Sequence, residues 1–101
     1  SKDIDILKVR DIVYKSSNKK FSIEDVEIDL THLEHDLLLE FIKNKDILMT
    51  REHLLNSVWQ DSFDKKIKTV NVAIKRLKAK IDPDGKKEYI RSIRGEGYIF
   101  C

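Results

Sequence analysis

The spacing of apolar residues changes once along this chain, at Thr31, and that change confines the fold more than any other feature. Before it, Val26, Ile28 and Leu30 alternate with Glu27 and Asp29, a period of two that suits a strand with one wet face. Phe21-Ser22-Ile23 repeats the pattern over a shorter span, and Ile4 to Val9 and Ile12 to Lys15 are rich in β-branched and apolar residues. Ser16-Ser17-Asn18 and Glu24-Asp25 supply turn chemistry between these runs. Residues 1–30 are therefore expected to form four short antiparallel strands.

From Thr31 onward the period is helical. Leu33, Leu37, Leu38, Phe41 and Ile42 recur at helical spacing, and Thr31 with Glu34 three residues on is a capping-box pair, so a helix is predicted over about 32–44. Thr50 is a second N-cap, followed by Arg51-Glu52 and the stripe Leu54, Leu55, Val58 up to Trp59. Ile47 to Met49, between these helices, is too short for a helix and suits a small strand or bridge. Gln60 to Lys66 has no apolar period and reads as an exposed loop. From Lys68 to Ile81, Val70, Ala73, Ile74, Leu77 and Ile81 fall within about 120° of arc, the clearest amphipathic helix in the chain. Asp82-Pro83-Asp84-Gly85 ends it, because proline cannot continue a helix and glycine accepts positive φ. Tyr89 to Ile93 and Gly97 to Phe100 then flank Arg94-Gly95-Glu96-Gly97 as a hairpin.

At 101 residues and 41% hydrophobic, this is one module's worth of chain, with no apolar run near the roughly 20 residues of a membrane helix. The lone Cys101 can build neither a disulfide framework nor a cysteine zinc site and suits a reducing, cytoplasmic setting. No basic-then-apolar leader opens the chain, which starts Ser1-Lys2-Asp3 and reads as a fragment of something longer. The formal net charge of +2 hides a separation of sign: residues 1–30 carry −1, residues 31–64 carry −4 and residues 65–101 carry +7.

The placement of those charges points to a polyanion. Opposite the apolar stripe of the third predicted helix stand Lys68, Val72, Lys75, Arg76 and Ala79, flanked by Asn71 and Lys78, and no acid appears between Lys65 and Ile81. An ordinary solvated helix mixes Glu with Lys at spacings of four. A helix fits the DNA major groove, where Arg pairs with guanine, Asn with adenine, and an apolar side chain meets the thymine methyl; Arg76, Asn71 and Val72 offer one of each. The hairpin adds Arg91 and Arg94, and an arginine at a hairpin tip can enter the minor groove. Of the twenty basic residues five are Arg, and Arg76 alone among them lies on the groove face, so guanine readout is expected to rest on it.

Four blocks, in order and spacing, resemble the OmpR/PhoB-type winged-helix effector domain of bacterial two-component response regulators. They are Leu30-Thr31-His32-Leu33-Glu34, Thr50 through Trp59, Lys68 through Ile81, and Ser92 through Phe100. The resemblance implies an α+β winged helix-turn-helix: an N-terminal four-stranded antiparallel sheet (1–30), a three-helix core (31–81) and a C-terminal hairpin wing (82–101). It implies a transcription factor with the third helix in the major groove of double-stranded DNA and the wing in the minor groove. By position, the family's contacts fall on Lys68, Thr69, Val72, Lys75, Arg76 and Lys78 and on the wing Arg94. A loop that touches RNA polymerase maps to Gln60, Asp61, Ser62, Phe63, Asp64, Lys65 and Lys66. The family also implies a receiver domain answering a cognate sensor kinase, and homodimers on direct repeats. The chain departs from the pattern at Asn71, where Asp is common, at Ala73 for a polar residue, at Gln60 for Gly, and at Ile99 for a basic residue.

Other functions are weaker fits. No Gly-rich phosphate loop, nucleophile motif or paired acids in a pocket pattern suggests an enzyme, and no cofactor is implied. His32 and His35, beside Asp36, lack a convincing fourth metal ligand and read as a solvated pair at a helix start. Trp59, ending an apolar stripe, reads as core. The alternative that competes is a winged helix used for protein docking or RNA binding, since fold does not fix function.

Overall fold

The computed structural model describes residues 6–59 and 67–101. Four strands open it: β1 (Ile6–Val9), β2 (Ile12–Lys15), β3 (Lys20–Ile23) and β4 (Val26–Ile28), paired in sequence order as an antiparallel meander. Its register aligns Leu7, Tyr14, Phe21 and Ile28 in one row and Val9, Ile12, Ile23 and Val26 in another, and the period of two puts both rows on one face. That face supplies Ile12, Tyr14 and Phe21 to the core. The turn at Glu24-Asp25 has positive φ at both residues (52° and 67°), the geometry of a type I′ hairpin built without glycine.

Helix α1 (His32–Lys43) starts at the expected capping box: Glu34 N donates to Thr31 Oγ1 at 3.2 Å and Thr31 N to Glu34 Oε1 at 2.9 Å. A two-residue strand, β5 (Met49–Thr50), leads into α2 (Arg51–Val58), whose N-cap Thr50 accepts from His53 N at 3.1 Å. The expected small strand thus sits later than Ile47, and Ile47 and Leu48 are exposed. Helix α3 (Ile67–Ile81) turns Val70, Ala73, Ile74, Leu77 and Ile81 inward. The last two strands, β6 (Ile90–Ile93) and β7 (Gly97–Phe100), form the hairpin.

The hairpin is one part of a three-stranded sheet of order β5-β7-β6. Met49 pairs with Tyr98 and Thr50 with Gly97. Gly97 is needed for that approach, since a Cβ there would lie 2.1 Å from the Met49 carbonyl oxygen. Gly95, by contrast, serves the turn: its φ is +76° at the third position of a bend closed by Glu96 N donating to Ile93 O. Tyr89 precedes the strand it was expected to begin; it is buried, with its ring stacked 6.0 Å from Phe100.

The two sheets meet through side chains far apart in sequence. Tyr89 hydroxyl donates to Asp11 Oδ1, and Lys87 Nζ reaches Asp11 at 2.6 Å and Glu24 at 3.0 Å. Arg10 lies 4.6 Å over the Tyr89 ring and donates to the Cys101 carbonyl. These bonds fix the root of the hairpin to the β1–β2 and β3–β4 turns. One connected core, including Leu37, Phe41, Leu54, Leu77 and Phe100, joins both sheets to all three helices, and Trp59 is buried in it as the apolar stripe predicts.

His35 departs from its expected solvated position. His32 is 94% exposed, but the His35 side chain is 16% exposed, its ring 5.4 Å from those of Tyr14 and Phe21, with Nε2 3.1 Å from the Tyr14 hydroxyl. The reason is the turn of the helix, which carries residue 35 beneath the first sheet while residue 32 faces water.

Candidate nucleic-acid interface

With its apolar stripe committed to the core, α3 presents Lys68, Val72, Lys75, Arg76 and Ala79 to solvent, with Asn71 and Lys78 also exposed and Thr69 half-buried. Among the described residues no carboxylate pairs with Lys68, Lys75, Arg76 or Lys78. Lys80 differs, its Nζ being 2.5 Å from the buried Glu34 Oε1. The predicted basic face is therefore assembled and open, and Val72 adds an exposed apolar side chain at its middle.

The wing stands beside this face. Arg91 and Arg94 are exposed on β6 and at the turn. Between α3 and the wing runs a cleft of about 220 Å³ lined by Asn71, Ile74, Lys75, Lys78, Ser92 and Tyr98. A larger hollow of about 590 Å³ adjoins it through Lys78 and Ser92 and is lined also by Asp82, Glu88, Ile90 and Arg91. Lysines thus face a hydroxyl-bearing strand across a trough, a surface suited to an anionic backbone. The Asp82 carboxylate lining the larger hollow accepts from the Lys87 and Glu88 backbone N–H groups at 3.2 and 2.9 Å, which fixes its position and keeps it ionised.

Asn71, which its position on the helix offers to adenine, is already engaged within the chain. Its Oδ1 accepts from Arg51 Nε at 2.9 Å and from the Tyr98 hydroxyl at 2.6 Å. An amide oxygen has two lone pairs, and the paired contact with adenine needs one of them. Arg51, which the sequence reading left out of the site, also lies 5.0 Å over the Tyr98 ring. One signal pointed to it: a cation in the first turn of a helix stands against the helix dipole and calls for a reason. Ser92 and Tyr98 were missed because wing and helix become neighbours only on folding. The stretch Gln60 to Lys66, expected to be the polymerase-facing loop, lies outside the described residues.

Comparison with known proteins gives the family and the fold. The family model described as transcriptional regulatory protein, C terminal, matches residues 25–100. The chain belongs to that family. The response regulator ArlR of Staphylococcus aureus is 35% identical over 95 residues, covering 94% of this chain and 43% of ArlR. This member of the family therefore spans less than half the length of the curated relatives it matches. The response regulator DrrB of Thermotoga maritima, an OmpR/PhoB homologue, superposes with a TM-score of 0.81 at 28% identity, over 94% of this chain and 43% of DrrB. The DNA-binding domain of RstA from Klebsiella pneumoniae, solved in complex with the RstA box, shares the fold with a TM-score of 0.84 at 23% identity, over 96% of this chain and 97% of that domain. The fold is the α+β winged helix-turn-helix that the sequence predicts, and the family is one of DNA-binding transcription regulators of two-component systems, not of enzymes. No helix among the described residues is long and apolar enough to cross a membrane.

Proposed function

We propose that this domain binds double-stranded DNA sequence-specifically as the output half of a response regulator, with α3 in the major groove and the wing over the adjacent minor groove. The observation that carries the reading is the exposed cationic face of α3, without carboxylate partners among the described residues, running across a cleft to a wing that carries Arg91 and Arg94. Arg76 reads guanine and Val72 meets a thymine methyl, while Lys68, Thr69, Lys75 and Lys78 hold phosphates. Arg94 reaches the minor groove and Arg91 its backbone. Asn71 acts as a positioning residue rather than a base reader.

The same reading extends to the whole regulator. A receiver domain elsewhere in the protein answers a cognate sensor kinase in the cytoplasm, two copies occupy direct-repeat half-sites, and residues 60–66 contact RNA polymerase. ArlR and DrrB, both more than twice the length of the matched region, support a further domain. The test is selection of the domain against a random-core duplex library, sequencing what it retains. Enrichment of a short motif, above all as a direct repeat, supports the proposal. Retention without enrichment reduces it to backbone binding, and no retention turns the assignment to protein or RNA docking.

A further inference from the structure

We propose that Arg51 is a DNA-backbone anchor, kept fully charged and aimed by a neutral clasp formed by Asn71 and Tyr98; the inference rests on the DNA-binding reading above. Arg51 opens α2, where the helix dipole disfavours a cation. No carboxylate compensates it among the described residues. Its Nε donates to the Asn71 amide oxygen, which satisfies that N–H without neutralising the guanidinium, and the Tyr98 ring supports the group from one side.

Nε is thereby spent on orientation. Both terminal nitrogens remain without a hydrogen bond among the described residues, and they form the fork that fits the oxygens of a phosphate. Asn71 and Tyr98, which hold the group, line the same cleft as Lys75 and Lys78. The arginine is therefore held by two residues of the cationic trough between α3 and the wing, oriented before any ligand arrives. A carboxylate at position 71 would hold Arg51 equally well but cancel its charge.

The experiment measures binding of the 101-residue chain to a labelled random-sequence duplex as a function of salt, with thermal unfolding as the control for folding. Each phosphate contact contributes about one to the slope of log affinity against log salt. Arg51→Gln is expected to lower the slope by about one, and Arg51→Lys, which keeps the charge, to restore most of it. Asn71→Asp is expected to lower the slope by a similar amount at an unchanged or higher thermal midpoint. An unchanged slope in Arg51→Gln overturns the inference, as does an Arg51→Lys slope no higher than that of Arg51→Gln. A wild-type chain that binds no duplex overturns the DNA reading and this inference together.

Discussion

Lys80 Nζ lies 2.5 Å from Glu34 Oε1, so the last turn of α3 is tied to the first turn of α1 through the same carboxylate that caps α1. One side chain serves both tasks because Oε1 accepts from the Thr31 N–H and from the ammonium together. Lys80→Met should therefore destabilise the domain by about 1–2 kcal/mol in a denaturant titration, the partial exposure of Lys80 keeping the loss below that of a fully buried pair. Glu34→Gln, which can still cap, should cost less than Glu34→Ala. Equal losses for these two variants would show that the cap contributes nothing.

Acid should unfold the domain through three named carboxyls. Burial works against their ionisation. The Lys87 and Tyr89 side chains at Asp11, Lys80 and the Thr31 cap at Glu34, and the Glu88 and Lys87 N–H groups at Asp82 more than offset it, holding all three below their ordinary values. A group with a depressed folded pKa contributes stability above its unfolded value and loses it as pH falls through the folded one. The thermal midpoint should thus drop as pH falls below 4.5 for Glu34 and below 3.8 for the two aspartates. Asp11→Asn should shallow this decline.

The alkaline limb has the opposite sign. Burial and the bond to Asp11 push the Tyr89 hydroxyl up to about 12 from 10.0, and the bonds to Asp11 and Glu24 raise Lys87 above 10.5. Stability from a raised pKa is present below the unfolded value and is lost as pH rises through the folded one. Melting temperature should therefore fall between pH 10.0 and about 12, and Tyr89→Phe should flatten that fall. A Tyr89→Phe profile that parallels the wild type would remove Tyr89 from the account.

Two glycines of the wing should respond unequally to alanine. At Gly97 a Cβ meets the Met49 carbonyl at 2.1 Å, so Gly97→Ala should cost about 3 kcal/mol or more and loosen the β5–β7 pairing. At Gly95 the space is open and only the positive φ is penalised, so Gly95→Ala should cost about 1 kcal/mol. Backbone amide exchange at Thr50 and Tyr98 distinguishes the two variants: it should accelerate sharply in the first alone.

Base reading and backbone holding should separate by mutation on α3. Arg76→Ala is expected to relax sequence preference while retaining random duplex, because guanine pairing is a base contact. Lys68→Ala should weaken all sequences alike and flatten the salt slope by about one. Competition binding with selected and scrambled duplexes measures both. Equal loss of specific and random binding in Arg76→Ala would reject its role as a reader.

The sequence by itself determined what depends on near neighbours. The capping box of α1, the stripe of α3 and the stop at Pro83 and Gly85 each involve residues a few positions apart, where the local geometry of the helix sets which side chains meet. The cationic face of α3 was legible for the same reason, since committing the apolar stripe to the core leaves the opposite residues outside. The alternation of β4, by contrast, did not carry over to burial, since Val26 is 65% exposed. Only the tertiary structure decided that β5 completes the wing sheet, that His35 lies beneath the first sheet, and that Asn71 is occupied by Arg51 and Tyr98, which stand 20 and 27 residues away. A polar side chain on a helix surface has the same periodicity whether it meets water, a base or another part of the chain. Its partner is chosen by which distant elements the core brings alongside, and the spacing of residues along α3 carries no record of that.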